Sequence, residues 1–461
     1  VYQLKLVSQA VFRAYDIRGV INHDFNEDAF YSIGRAIGNR LVALARKQIF
    51  ITRDGRLTSL ELAHALRQGL LDSGIDVIDL GAAATPVMYY ATHATEIDCG
   101  LMVTGSHNPA NYNGIKMVLA GKTLMQADID LLYAINQKGV FVSGHGQLIE
   151  RTIINDYIMR VLRDITLKRR LKVVVDCGNG IAGPVIPDVI RQLGCEVIEL
   201  YCEVDGCFPN HHPDPTVEAN LADLKTAVSH YQADIGLAFD GDADRLGVVT
   251  NKNTTIWPDR LMMYYAKDVL KQQPGATVVF DVKCSSHLTT VIEESGGVAT
   301  MCPTGHSIVK SIMKVSDAVL AGEMSGHLFF RDKWYGFDDA LYSACRLLEI
   351  VSQSDLSVED QFASIPDSIN TPEIKIAIDD DEKFLFMSRF SQQAQFDAAN
   401  IIQIDGLRVE FVNGWGLIRA SNTTPCLVAR FEASDKASLV AIQDLFKIQL
   451  LKVNADLVIP F

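Results

Sequence analysis

The chain has 461 residues, 48% hydrophobic and 21% charged, with a net charge of −14 and 9 cysteines. That length supports several domains with ample cores, and the acidic balance argues against nucleic acid or an anionic membrane as partner. The sequence has no run of about 20 apolar residues, a first segment (Val-Tyr-Gln-Leu-Lys-Leu) too short and polar for a signal peptide, and no C-x-x-C pair, so a reduced, cytoplasmic enzyme is expected.

In chain order, the first signal is Ile49-Phe-Ile-Thr-Arg-Asp54, an apolar run ending in aspartate. Residues 59–73 follow, with leucines at helical spacing behind a Ser59 cap. Cys99-Gly-Leu-Met-Val-Thr104 reads as a buried strand delivering Gly105-Ser106-His107-Asn108-Pro109. Gly105 permits a sharp turn and Pro109 blocks a helix, so Ser106, with His107 beside it, is a candidate nucleophile or phosphoryl carrier. Two further Asp-terminated runs, Lys172–Asp176 and Thr277–Asp281, recur at a spacing of roughly 105 to 120 residues. Each has its own second strand and loop, at Ile235–Asp240 and Val319–Glu323.

Apolar strands alternating with helices predict mostly parallel sheets covered on both faces. The expectation is three similar mixed or parallel-sheet α/β domains, at residues 1–150, 151–253 and 254–367. From residue 368 to 461 the pattern changes to a smaller α+β domain, with strands at Glu373–Ile378 and Cys426–Glu432 and a helix from a Ser434 cap to Lys452. Ligands bind beyond the carboxyl ends of such strands, so the second-strand loops should converge on a central cleft.

Three loops carry further chemistry. Asp240-Gly-Asp-Ala-Asp-Arg245 places carboxylates at alternate positions, able to face one hard cation. An EF-hand is rejected because Arg245 and Asn251 stand where Gly and Glu are needed, and the open carboxylate set suits Mg2+ shared with a phosphate oxygen. In Gly322-Glu-Met-Ser-Gly-His327, Glu323 and Ser325 can bond sugar hydroxyls and His327 can shuttle a proton. Arg419-Ala-Ser-Asn-Thr-Thr-Pro425 combines a guanidinium, hydroxyls and an amide as a phosphate cradle.

Two rival patterns lie between the serine loop and the acidic loop. Gly178-Asn-Gly-Ile-Ala-Gly183, with Glu199 beyond the next strand, fits the dinucleotide fingerprint of an NAD-dependent dehydrogenase. That reading leaves Ser106, the three aspartates and the Arg419 loop without a role. Cys202, Cys207, His211 and His212 match no standard zinc spacing, and Pro209 and Pro213 mark a turn-rich loop.

Taken in order, Phe12-Arg-Ala-Tyr-Asp-Ile-Arg-Gly19, Thr104–Pro109, Asp240–Arg245, Gly322–His327 and Arg419–Pro425 resemble the α-D-phosphohexomutase superfamily, in its bacterial phosphomannomutase/phosphoglucomutase branch. The resemblance implies an isomerase that converts a hexose 1-phosphate to the 6-phosphate through a phosphoserine and a hexose 1,6-bisphosphate, with glucose 1,6-bisphosphate as activator. It implies phosphoserine at Ser106 and Mg2+ on Asp240, Asp242, Asp244 and the serine phosphate. Lys116, Arg18 and His327 become proton-transfer candidates, and Arg245 and Lys116 the cations beside the reacting phosphate. Arg419, Ser421, Asn422 and Thr423 would hold the other phosphate, helped by Tyr15, Lys283 and His306. Glu323 and Ser325 would read the 3- and 4-hydroxyls, which are oriented alike in glucose and mannose. The phosphoglucosamine mutase branch is the alternative; Met324, where that branch usually has Gln, and the run Trp334–Asp339 favour the first. Ala243 departs from the family's usual Gly, at a position where a positive φ is expected. The expected partner is a phosphorylated hexose, and the expected state a monomer.

Overall fold

A computed structural model describes the whole chain apart from Val1, Ala398 and Thr423. Among the described residues the strands form four sheets, and the first three repeat one plan. A leading strand (Gln48–Arg53, Lys172–Asp176 or Thr277–Asp281) lies parallel to a second strand (Gly100–Val103, Ile235–Phe239 or Leu320–Gly322). The second strand then turns back into an antiparallel neighbour: Tyr112–Leu119, Leu246–Thr250 or Leu328–Phe330. The Asp-terminated runs are thus the leading strands, and each chemical loop joins the second strand to its return. The return hairpins make these sheets mixed.

Helices cover these sheets because the leading strands are apolar throughout; Val173, Val174 and Val175, for example, are all buried. One continuous core joins the first three sheets, running from Phe50 and Met102 through Val173 and Leu237 to Val278 and Leu320. The helices Thr85–Ala94, Ile154–Asp164 and Ala340–Ser352 fill the space between, with Trp334 stacked on Tyr342 at 4.2 Å. Burial shared in this way holds the three loops in fixed relation. Among the described residues, no helix is long and apolar enough to cross a membrane.

The fourth sheet is antiparallel, and Phe431 meets Phe446 of the helix Lys436–Val453 across its core at 5.4 Å. Its opposite face packs on the third sheet, where Arg408 lies 3.9 Å from the Trp415 ring and donates to the carbonyls of Val282 and Cys284, both at 2.7 Å. Two helix caps differ from expectation. The terminal helix is capped by Asp435, which accepts from the Ser438 N–H, so Ser434 stands just outside it. The helix Ser59–Leu71 follows Thr58 without a side-chain cap, because the Ser59 hydroxyl donates instead to Asp54 at 2.5 Å.

The glycine fingerprint is occupied by the chain itself. A Cβ on Gly178 would fall 3.0 Å from Pro213, and one on Gly183 1.8 Å from the Cys202 carbonyl. Glu199 pairs with Arg191. The Cys/His cluster does not gather either, as His211 lies 2.9 Å from Asp176 and donates from Nδ1 to the His212 carbonyl, 3.0 Å away. Burial opposes charging His211, but the Asp176 carboxylate outweighs it and raises the imidazole pKa. A raised folded pKa adds stability that is complete below the ordinary value of 6.5 and fades as pH climbs through the raised one. The melting-temperature deficit of His211→Gln should therefore be larger at about pH 5.5 than at about pH 8.5.

Candidate active site

Ser106 sits at the carboxyl end of Gly100–Val103 with a φ of 50°, a left-handed conformation uncommon for a non-glycine residue. Its N–H is taken by Thr104 Oγ1 at 2.8 Å, and its hydroxyl donates to Asp240 Oδ2 at 3.2 Å. His107 Nδ1 lies 3.2 Å from the same hydroxyl. Gly241 permits this approach, since a Cβ there would lie 2.5 Å from the Ser106 carbonyl oxygen.

The acidic loop closes into a tight trio, with one oxygen each from Asp240, Asp242 and Asp244 within 4.8 Å of one another. Asp240 Oδ1 accepts from the N–H groups of Asp244 and Arg245, at 3.0 and 3.1 Å. Ala243, with a φ of 62°, takes the predicted positive angle despite its methyl group. Lys116 reaches in from the return strand, donating to Asp242 Oδ2 at 2.6 Å and to Asp244 Oδ2. Burial and the neighbouring Asp244 and Asp242 raise the Asp240 carboxyl well above the usual range. Burial pushes Asp242 the same way, but Lys116 outweighs it and holds that carboxyl down. Asp242 Oδ1 and Asp244 Oδ1 are buried without a hydrogen-bond partner, the latter 3.6 Å from His327 Nδ1. Hard oxygen donors converging beside a serine hydroxyl, two of them unsatisfied, fit a small divalent cation.

A second chain of contacts leads away from the trio. Arg245 Nε donates to His327 Nε2 at 3.1 Å, so the ring carries its proton on Nδ1, which faces Asp338 Oδ2 at 3.2 Å. Lys310 donates to Asp338 Oδ1 at 2.8 Å, and the His306 ring lies 5.6 Å from that of His327. Arg18 is held by Asp16 and Asn108, both at 2.7 Å.

The remaining predicted residues line a neighbouring wall. Tyr15 meets His306 edge-on at 4.9 Å, and burial raises its hydroxyl to about 12. Glu323 Oε1 accepts from the Gly305 N–H at 2.7 Å, while Glu323 Oε2 and Ser325 Oγ are buried without a hydrogen-bond partner. Arg419 ends the strand Gly414–Ala420 and donates to Asp405 at 2.9 Å; Lys283 donates to Glu373 at 2.6 Å. Asp405 also accepts from the Thr304 N–H, tying the fourth domain to the turn before His306. The Ser421 hydroxyl bonds that of Thr424 at 2.7 Å, and Asn422 is half-buried beside it. Thr423 lies outside the described residues. The structure thus gathers one polar cluster around Ser106 and a second from Tyr15 and residues of the third and fourth sheets. Sequence reasoning missed the supports: Asp54 and Arg56 beneath the serine turn, Thr85 donating to Asp242 at 2.5 Å, Lys310, Asp338 and Asp405. Asp54 carried a signal as the end of a repeated run, and Asp338 lay in the Trp334–Asp339 run, which served only to tell the two branches apart.

Three α/β units, a distinct fourth, and a serine facing carboxylates at their junction define the phosphohexomutase fold. A solved phosphoglucomutase/phosphomannomutase family protein from Burkholderia thailandensis matches it with a TM-score of 0.94 at 44% identity, covering 99% of this chain and 100% of that one. The chain belongs to the phosphoglucomutase/phosphomannomutase family: its alpha/beta/alpha domains I, II and III match residues 9–142, 155–253 and 257–368, and its C-terminal domain matches 373–448. A phosphomannomutase/phosphoglucomutase from Pseudomonas putida is 50% identical over 98% of both chains. A phosphoglucomutase from Neisseria meningitidis is 47% identical over 98% of this chain and 99% of its own. The chain is accordingly an isomerase of phosphosugars.

Proposed function

We propose that the chain interconverts the 1-phosphates and 6-phosphates of mannose and glucose through phosphorylated Ser106. The observation that carries this reading is the Ser106 hydroxyl donating to Asp240 within a buried carboxylate trio that also holds Lys116. A free sugar hydroxyl attacks the serine phosphorus, the Ser106 Oγ–P bond breaks, and the sugar's proton passes to a nearby base. The resulting 1,6-bisphosphate turns over, and its other phosphoryl group returns to Ser106 as that sugar oxygen takes a proton. Such a loose transition state needs alignment and positive charge more than covalent help. Lys116, Arg245 and Arg18 supply the charge, and Lys116, Arg18 and His327 are the groups for moving the proton. Mg2+ held by Asp240, Asp242, Asp244 and the serine oxygen would neutralise the transferring phosphoryl oxygens.

Arg419, Ser421, Asn422 and Thr423, with Tyr15, Lys283 and His306, bind the phosphate that is not reacting. The unsatisfied Glu323 Oε2 and Ser325 Oγ support their assignment to the 3- and 4-hydroxyls, leaving the 2-position unread. The partner is a phosphorylated hexose, and the working form a cytoplasmic monomer. A ³¹P NMR time course with Mg2+ and catalytic glucose 1,6-bisphosphate tests this. Mannose 1-phosphate and glucose 1-phosphate should both give 6-phosphates, at rates within about a thousandfold of each other. Conversion of glucosamine 1-phosphate alone would move the chain to the other branch.

A further inference from the structure

The turn that carries Ser106 closes around a guanidinium from another element. Arg56, only 2% exposed, donates from Nη1 to the carbonyls of Pro109 (2.6 Å) and Tyr112 (3.1 Å) and from Nη2 to those of Ser106 (2.7 Å) and Asn108 (2.6 Å). Its Nε faces Asp54 Oδ2 at 3.2 Å, and Asp54 also accepts from the Thr104 hydroxyl at 2.7 Å. Gly105 leaves room for this, since a Cβ there would fall 2.5 Å from Arg56 Cζ.

The second domain holds the arginine in place. Arg56 Cζ lies 5.0 Å from the ring centre of Phe208, within cation–π range. Phe208 has a φ of 51°, a conformation costly for a bulky aromatic and tolerated where surroundings enforce it. Gly206, in the same turn, packs on Arg56, since a Cβ there would lie 2.8 Å from the Arg56 Cα. This connection continues to Pro213, whose ring would lie 3.6 Å from a Cβ on Gly241, inside the acidic loop. One stretch of chain therefore braces both the serine turn and the carboxylate loop.

We propose that Arg56, clamped by Phe208, is a positioning residue that sets the Ser106 oxygen against the Asp240 carboxylate; the inference rests on the phosphoserine reading above. Ser106 has a left-handed φ, and an L-residue relaxes out of that region unless its flanking peptides are held. Thr104 holds the peptide before the serine and Arg56 the carbonyl after it. Apart from Tyr15, which lies outside the serine turn, the groups assigned to the sugar and its distant phosphate belong to other domains, so loosening this turn impairs transfer and spares binding.

The test compares wild type with Arg56→Lys, Arg56→Ala and Phe208→Ala. It measures kcat, KM, urea midpoint, and the mass gained on incubation with glucose 1,6-bisphosphate. Lysine keeps the charge but cannot fork onto four carbonyls. Arg56→Lys should lower kcat about 100-fold with KM within about threefold of wild type. Methylguanidinium should restore kcat of Arg56→Ala by about tenfold or more, and Phe208→Ala should lower kcat about tenfold. The proposal is overturned if kcat of Arg56→Lys stays within about twofold of wild type, or if Arg56→Ala gains nothing from methylguanidinium while kcat and KM deteriorate together. Failure of the wild type to take up a phosphoryl group would instead refute the phosphoserine reading, so the two failures are distinguishable.

Discussion

Ser106→Ala is expected to abolish mutase turnover, lowering kcat by about ten-thousandfold or more, because no other group can carry the phosphoryl between half-reactions. The ³¹P phosphoserine signal should vanish with it. Stability should change little. The hydroxyl's protein contacts are His107 and Asp240, while Thr104 and Arg56 hold the serine backbone and do not depend on the side chain. Alanine meets the same left-handed backbone as serine, so the melting temperature should stay within about 3 °C. Hexose phosphate should still bind, since none of the residues proposed to hold it depends on the Ser106 side chain. Residual turnover above about 1% of wild type would show that Ser106 is not the carrier.

Lys116→Met should produce the second large effect, on activity and stability together. Lys116 is 3% exposed and contacts Asp242 and Asp244, both fully buried. Removing one partner of a buried ion pair leaves uncompensated charge, which costs about 3–5 kcal/mol. Lys116 holds the Asp242 carboxyl down against burial, so without the ammonium burial raises that pKa above its unfolded value. A raised carboxyl pKa costs stability as pH rises through it, so the deficit against wild type should widen from about pH 5 to about pH 8. Urea unfolding in chelator should read this deficit, and added Mg2+ should recover part of it by replacing the missing charge. Turnover with Mg2+ present should still fall about 100- to 1000-fold, because in the proposed reaction the lysine's charge is assigned to the transferring phosphoryl group. An unfolding midpoint equal to wild type in chelator across that range would contradict the electrostatic role.

Much of this was legible in the chain because it is local. The Asp-terminated apolar runs predicted the leading strands of three sheets. Asp240, Asp242 and Asp244 lie close enough in sequence to declare a shared cation, and Gly105 and Pro109 declare an exposed serine. The positive φ expected at Ala243 follows from the short loop around it and is what the backbone shows. Local pattern misjudged the ends of elements. Ser434 and Asp435 are both good caps, and which one serves depends on where the incoming strand releases the chain. Ser59 looked like a cap but is committed to Asp54, which also accepts from Thr104, a strand away.

What the sequence determined by itself is the set of local motifs: a presented serine, a carboxylate trio, the Gly322–His327 loop proposed for the sugar and the Arg419–Pro425 loop proposed for a phosphate, each encoded within about ten residues. Tertiary structure alone decided how they engage one another. Lys116 reaches the aspartates from 126 and 128 residues away, Thr85 reaches Asp242 from 157, and Arg56 enters the serine turn from 50. It also decided that the glycine fingerprint packs against its own chain. Side chains this distant in sequence carry no shared periodicity or spacing. They meet because a common core stacks three sheets with their strand-end loops in contact, and burial there leaves a charged group stable only where it finds a partner.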